Sequence, residues 1–178
     1  RKRLTEFGMT SPNKLYLLAP GGGRIPLREW PLEHFVSLAK RIHADPDAWI
    51  LVIGLNDPAD RGATLVNALP SRERSLNLIG KTDLSELLTL FTMSQALVVN
   101  DSGLGHLAAL TSIKHHVLFG PEHPSIFSPC GKETVIYYKG LPCSPCLSVF
   151  NHRNSACRDN LCLKAISVDE VFDAVRDK

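Results

Sequence analysis

Charge of one sign, long apolar runs and early cysteines are all scarce in this sequence, and each scarcity excludes something. The 178 residues carry 20 Lys and Arg against 18 Asp and Glu, a formal net charge of +2. Such a small excess cannot hold nucleic acid or an anionic membrane surface by bulk charge. No apolar run approaches the roughly 20 residues of a membrane-spanning helix. No cysteine precedes Cys130, so everything upstream must fold without disulfides, unlike a small secreted scaffold stapled by bridges. An initiator Met and an apolar leader are also missing from the start, Arg1-Lys2-Arg3. The expectation is a domain excised from a larger protein, with no signal peptide in view. What remains, 44% hydrophobic and 21% charged residues, is the composition of a soluble globular domain.

Short apolar runs alternate with helical patterns along most of the chain. Leu15–Leu18, Trp49–Ile53, Leu76–Ile79, Ala96–Val99 and His116–Phe119 read as strands, with a sixth at Glu133–Tyr138. Between them, Phe35, Leu38, Ala39 and Ile42 recur at helical spacing, and a second helix is expected from about Pro58 to Leu69, with its proline in the first turn. A third starts at an N-cap, Asp83, with Glu86 as capping-box partner, and carries Leu84, Leu87, Leu88 and Phe91 on one face. Near-wholly apolar strands separated by helices predict a parallel sheet covered on both faces, a Rossmann-like, doubly wound α/β fold. Residues 1–138 form the expected nucleotide-binding domain. Residues 139–178 add an irregular segment rich in Cys, Pro, Ser and Asn and a last helix capped by Ser167 and Glu170, packed on the same domain.

Ligands of open α/β sheets sit beyond the carboxyl ends of the strands, and two strand-to-helix turns there have the chemistry for an anion. In Asn100-Asp101-Ser102-Gly103-Leu104-Gly105-His106, a helix start offers unpaired N–H groups and a partial positive charge. Gly103 and Gly105 let a ligand reach the backbone, Ser102 adds a hydroxyl, and His106 lies one turn in. The alternative is a capped turn and nothing more. In Pro20-Gly21-Gly22-Gly23-Arg24 … Arg28-Glu29-Trp30-Pro31, three glycines leave bare backbone and Arg24 and Arg28 supply cationic donors; a flexible loop with solvated arginines is the competing reading. Neither turn fits G-x-G-x-x-G or G-x-x-x-x-G-K-[ST], which disfavours a dinucleotide dehydrogenase or a P-loop NTPase.

Of the other histidines, His34 and His43 are expected on a helix surface, His115 and His116 flank a strand, and His123 sits in the loop Phe119-Gly120-Pro121-Glu122-His123-Pro124. Cys143-x-x-Cys146 followed by Cys157 and Cys162 has the look of a zinc knuckle, four thiolates that a structural Zn²⁺ could gather; free cysteines are the alternative.

Taken in order, these motifs resemble the C-terminal domain of the heptosyltransferase-like glycosyltransferases, glycosyltransferase family 9. The Pro-Gly loop with a basic residue and Trp-Pro is Pro20-Gly21-Gly22 … Arg28-Glu29-Trp30-Pro31; the Gly-x-x-x-Leu element is Gly80-Lys81-Thr82-Asp83-Leu84. The Asp-Ser/Thr-Gly-x-x-His-x-x-Ala motif is Asp101-Ser102-Gly103-Leu104-Gly105-His106-Leu107-Ala108-Ala109, and Phe-Gly-Pro is Phe119-Gly120-Pro121. The resemblance implies one half of a GT-B fold and a nucleotide-diphosphate sugar, ADP-heptose-like, as donor. Its implied contacts are Gly21, Gly22, Gly23, Arg28, Gly54, Thr82, Asp101, Ser102, Gly103 and His106, with the nucleobase near Gly54 and Gly80–Leu84. Arg28, where the family commonly has Lys, would stabilise the leaving diphosphate in an inverting transfer. No metal or other cofactor is implied for catalysis. Acceptor, glycan or lipid-linked, and catalytic base belong to an N-terminal domain not present here. A cytoplasmic enzyme of lipopolysaccharide or other surface-glycan synthesis, peripheral at the inner membrane face, is the implied setting. A non-catalytic nucleotide-binding module and half of a GT-B sugar-nucleotide epimerase share the fold, which alone does not separate them.

Overall fold

The computed structural model describes residues 14–57 and 59–177. Six strands, β1 (Lys14–Ala19), β2 (Ala48–Val52), β3 (Ser75–Asn77), β4 (Ala96–Asn100), β5 (Lys114–Phe119) and β6 (Thr134–Tyr138), form one sheet. Every pairing is parallel, in the order β3-β2-β1-β4-β5-β6. The doubly wound expectation holds, and the order reverses between β1 and β4, the switch point where such sheets leave a crevice at their carboxyl edge.

Alternation along each strand divides the core into two layers. On one face Leu18, Ile50, Val52, Val98 and Leu118 pack with Phe35, Leu38 and Ile42 of α1 (Leu32–His43) and with Val171, Phe172 and Val175 of α7 (Val168–Arg176). On the other, Leu15, Leu17, Leu51, Leu97, Val99 and Phe119 meet Leu90 and Phe91 of α3 (Leu84–Met93) and Ala108 of α4 (Gly103–Ala108). Each fully buried Leu or Ile contributes about 1.5–3 kcal/mol relative to exposure, so both faces of the sheet are needed to offset chain ordering.

Both capping boxes are present: Asp83 and Glu86 start α3, and Ser167 and Glu170 start α7. Two details of α3 and its predecessor differ from expectation. Leu84 is exposed, because it lies in the first turn, before the helix comes down onto the sheet. Helix α2 spans Arg61–Asn67, later and shorter than expected, capped by Asp60, which accepts from the Ala63 N–H at 3.4 Å; the expected role of Pro58 lies outside the described residues. Two short helices complete the chain, α5 (Pro124–Phe127) and α6 (Leu161–Lys164). Most of residues 139–166 is irregular, as expected, with only α6 inside it.

Two histidine assignments are corrected. His43 is buried at the end of α1, where Arg74 donates to its backbone carbonyl at 3.1 Å. His115 and His116 lie within β5 and are fully buried, bonded to Thr134 and to the Tyr137 hydroxyl of the neighbouring strand.

Candidate functional site

Three loops meet at the carboxyl edge beside the switch point: residues 20–31 after β1, 101–105 after β4 and 120–123 after β5. Asn100, the last residue of β4, joins the first two. Its Oδ1 accepts the Trp30 N–H at 2.9 Å and its Nδ2 donates to the Pro20 carbonyl at 2.8 Å, both buried. Trp30 is itself anchored, with Nε1 donating to the Ile166 carbonyl at 2.9 Å. A polar residue extending an apolar strand run was the sequence signal for this clamp.

The glycines separate by role. A Cβ added at Gly21 or Gly103 would meet nothing within 4 Å, and at Gly23 likewise, at φ +70°. Their backbone is open to a ligand. Gly22 was expected in the same group and is not open. It is buried beneath Glu29, whose Cγ would lie 2.5 Å from an added Cβ, and its N–H already donates to Glu29 Oε1 at 3.1 Å. Glu29 is held in turn by Arg61 at 2.8 Å. Gly105 faces Pro129, Val117 and Val99 at 3.4–3.6 Å, so its smallness serves helix-on-sheet packing.

Helix α4 begins at Ser102, whose hydroxyl makes no capping bond and is buried without a partner. The capped-turn alternative therefore does not account for Ser102. His106 is exposed on the same helix. Thr82, before α3, also buries an unpartnered hydroxyl. Gly54 and Gly80 join the β2 and β3 turns through a Gly80 N–H to Gly54 carbonyl bond of 3.0 Å. From β3 to β5 at about 4.8 Å per strand the edge runs roughly 20 Å, the reach of an extended ligand and far more than one anion fills.

Arg28 ends a 3-10 turn, Pro26–Arg28, and its side chain is 13% exposed. Its Nη2 is ion-paired with Glu122 Oε2, and its Nε lies 3.7 Å from Asp101 Oδ2. Arg153, from the C-terminal irregular segment, places Nε 3.4 Å from Glu122 Oε1. Burial, and contact with Glu122 beside it, push the Asp101 carboxyl up to about 7, against the lowering pull of Arg28. Glu122 and Arg153 escaped the sequence reading, since a loop carboxylate has no periodicity and its burial arises only when distant segments close over it. His123 is a cap: its Nδ1 accepts from the Ser125 N–H at 3.2 Å, the structural alternative for that residue.

The four cysteines of the expected zinc set are not gathered. Among the described residues no group of three or more His, Cys, Asp or Glu is placed to hold a metal, and Cys143, Cys146, Cys157 and Cys162 are all unpaired. Cys157 turns its thiol to the Asp159 carbonyl at 3.0 Å, and Cys162 is buried against Gly120. Hydrogen bonds and packing hold this segment instead. The N–H groups of Cys146 and Leu147 both donate to the Pro121 carbonyl at 2.9 Å, and Ser144 Oγ donates to that of Gly120. The segment is thereby seated over the loop that carries Glu122.

Residues 1–155 match the family described as glycosyltransferase family 9 (heptosyltransferase). Lipopolysaccharide heptosyltransferase 2 of Salmonella typhimurium is 30% identical over 127 residues, 70% of this chain and 36% of that protein. The solved structure of E. coli ADP-heptose lps heptosyltransferase II superposes with a TM-score of 0.79 at 23% identity, over 98% of this chain and 50% of the other. E. coli heptosyltransferase WaaC with ADP gives 0.69 at 18% identity, over 93% and 44%. The chain thus spans about a third of the length of this curated relative and up to half of these solved chains.

Proposed function

The chain belongs to glycosyltransferase family 9, the heptosyltransferases, and from that premise we propose that it is the donor-binding half of an inverting glycosyltransferase that uses an ADP-heptose-like sugar nucleotide. The observation that carries this reading is the open carboxyl edge itself. Bare backbone at Gly21 and Gly103 and an unpartnered Ser102 hydroxyl stand on the same edge as the Arg28 guanidinium. Backbone N–H groups at a helix start and a guanidinium both favour the doubly charged diphosphate.

Each residue then has a part. Gly103 and Ser102 receive a phosphate from the α4 side, Gly21 and Gly23 leave room on the β1 side, and Arg28 supplies positive charge between them. Thr82 and Gly54 lie where the base and ribose of an extended donor would reach. As the anomeric bond breaks, charge gathers on the leaving diphosphate, and fixed donors that strengthen with that charge lower the barrier. His106 lies one turn into α4, in reach of phosphate or sugar. The acceptor hydroxyl and the carboxylate that activates it come from a domain outside this chain, so the chain by itself binds donor and transfers nothing.

No helix among the described residues is long and apolar enough to cross a membrane; work at the cytoplasmic face of the inner membrane, on a glycan or lipid-linked acceptor of lipopolysaccharide synthesis, completes the proposal. Calorimetric titration with ADP, GDP, UDP and NAD tests the donor class. Saturable binding of ADP, stronger than that of NAD, supports it; preference for NAD contradicts it.

A further inference from the structure

The four charged groups at the switch point contain more carboxylate than a diphosphate site calls for. Asp101 and Glu122 are acidic, buried, and directed at the guanidinium that is to receive an anion. Glu122 is 1% exposed and Asp101 7%. Asp101 Oδ2 and both Glu122 carboxylate oxygens are buried without a hydrogen-bond donor, although Arg28 and Arg153 balance their charge. Two ionised carboxylates cannot bond to each other; a pair sharing one proton can. The four groups come from every segment that packs here: the cations Arg28 after β1 and Arg153 in the C-terminal segment, the acids Asp101 after β4 and Glu122 after β5.

The segment that carries Arg153 is built to deliver it. His152 and Arg153 both adopt left-handed backbone, φ 51° and 58°, a conformation costly for side-chain-bearing residues. Asn151 fixes that turn, its Oδ1 accepting the N–H groups of Ser148 at 2.9 Å and Arg153 at 3.1 Å. The guanidinium of Arg153 also lies over the Phe127 ring, 5.6 Å from its centre.

We propose that Glu122 is a positioning residue for the donor: it holds the Arg28 guanidinium beside Asp101, and the two carboxyl groups keep one proton between them when a sugar-nucleotide diphosphate engages that guanidinium. This rests on the donor-site reading above. With both carboxyls ionised the four groups sum to zero charge. With one proton they sum to +1, and the cluster then attracts the diphosphate. The proton comes from solvent on binding and returns to it on release; no bond of the donor is altered. Asp101, already held up to about 7, is the member poised to take it. A lysine at position 28 would offer a single ammonium; the forked guanidinium of Arg28 reaches both carboxylates from one side chain, which gives a reason for arginine here.

The test is a calorimetric titration of the chain with ADP-glucose. This diphosphate diester has no phosphate group that ionises near neutrality, unlike a terminal phosphate with its second ionisation near about pH 6. Any proton change therefore belongs to the protein. Between about pH 6.5 and pH 8.5 affinity is expected to fall roughly tenfold or more, as a one-proton linkage allows. Buffers of different ionisation enthalpy should show close to one proton taken up at the upper end. Glu122→Gln should flatten the profile, because Asp101 then ionises at lower pH. Arg153→Gln changes a half-exposed side chain and leaves the core alone; it should move the profile to higher pH while keeping its slope, since a cation that favours ionisation is gone. Binding with a flat profile and no proton uptake in the parent overturns the proposal and leaves the donor site standing. A Glu122→Gln variant that binds with the parent's pH profile, only weaker, also overturns it, for Glu122 would then be structural support. No binding at any pH overturns the donor site and this inference together.

Discussion

Asn100 holds the Trp30 backbone N–H at 2.9 Å with its Oδ1 while its Nδ2 reaches the Pro20 carbonyl at 2.8 Å. The two ends of the glycine loop are thus fixed to the last residue of β4. Asn100→Ala should leave a buried N–H and a buried C=O unpaired. At about 1–3 kcal/mol for each stranded group, a loss of roughly 2–6 kcal/mol in urea unfolding is expected, with weaker nucleotide binding in the fraction that folds. A loss below about 0.5 kcal/mol, the range of ordinary surface changes, would contradict this role.

Arg28 serves two ends at once, and its substitutions should show it. Arg28→Ala removes the proposed donor to the diphosphate and also takes from the almost fully buried Glu122 the nearer of its two cations, leaving Arg153 at 3.4 Å. Breaking a buried pair from one side costs about 3–5 kcal/mol, so this variant should lose stability as well as affinity. Arg28→Lys keeps the charge and should retain most of the stability. In a reconstituted two-domain enzyme it should lose about tenfold in kcat/KM, the low end for a charge-assisted contact. Equal stability of Arg28→Ala and the parent by thermal unfolding would sink the ion-pair account.

Two buried groups pull the pH dependence of stability in opposite directions. Burial holds His116 down to about 4 from 6.5. The unfolded chain therefore binds the extra proton in that window, and the His116 contribution, full above about 6.5, is lost as pH falls towards 4. Asp101, held up from 3.8 to about 7, does the reverse: its contribution is full below about 3.8 and is lost as pH rises through 7. Asp101→Asn should gain stability relative to the parent as pH goes from about 4 to 7.5. Denaturant midpoints across that range would show the two curves separating. Parallel curves would mean that Asp101 ionises as it does in water.

Thiol reactivity should follow burial. Cys130 and Cys143 are exposed and Cys162 is buried, its thiol pushed up by burial and the nearby Cys146. Alkylation followed by mass spectrometry should label Cys130 and Cys143 first and Cys162 last. Joint protection of Cys143, Cys146, Cys157 and Cys162, relieved by a chelator, would instead restore the zinc knuckle.

Much of this was legible in the chain because the signals were local. Apolar runs of strand length gave the sheet, and Asp83 with Glu86 and Ser167 with Glu170 gave two helix starts through reciprocal hydrogen bonds between near neighbours. The Asp101-to-His106 turn was legible as a strand-to-helix turn for the same reason. What escaped was set by segments meeting from far apart. Gly22 is covered because Glu29 folds over it, His43 is buried where Arg74 arrives from the turn before β3, and Glu122 becomes a buried acid only when residues 144–153 close on its loop. Cys-x-x-Cys spacing misled because Cys157 and Cys162 turn to other partners.

In the proposed complex the donor diphosphate sits against the backbone at Gly103. A Cβ added there meets nothing within 4 Å in the free chain, so Gly103→Val should leave the unfolding transition close to the parent's. The added side chain would nonetheless occupy the space a phosphate needs. Side-by-side calorimetry with ADP should show saturable binding by the parent and at least about tenfold weaker binding by the variant, a difference of about 1.4 kcal/mol. Equal ADP affinity of the two, or no heat from the parent with ADP, GDP or UDP at millimolar concentration, would contradict it.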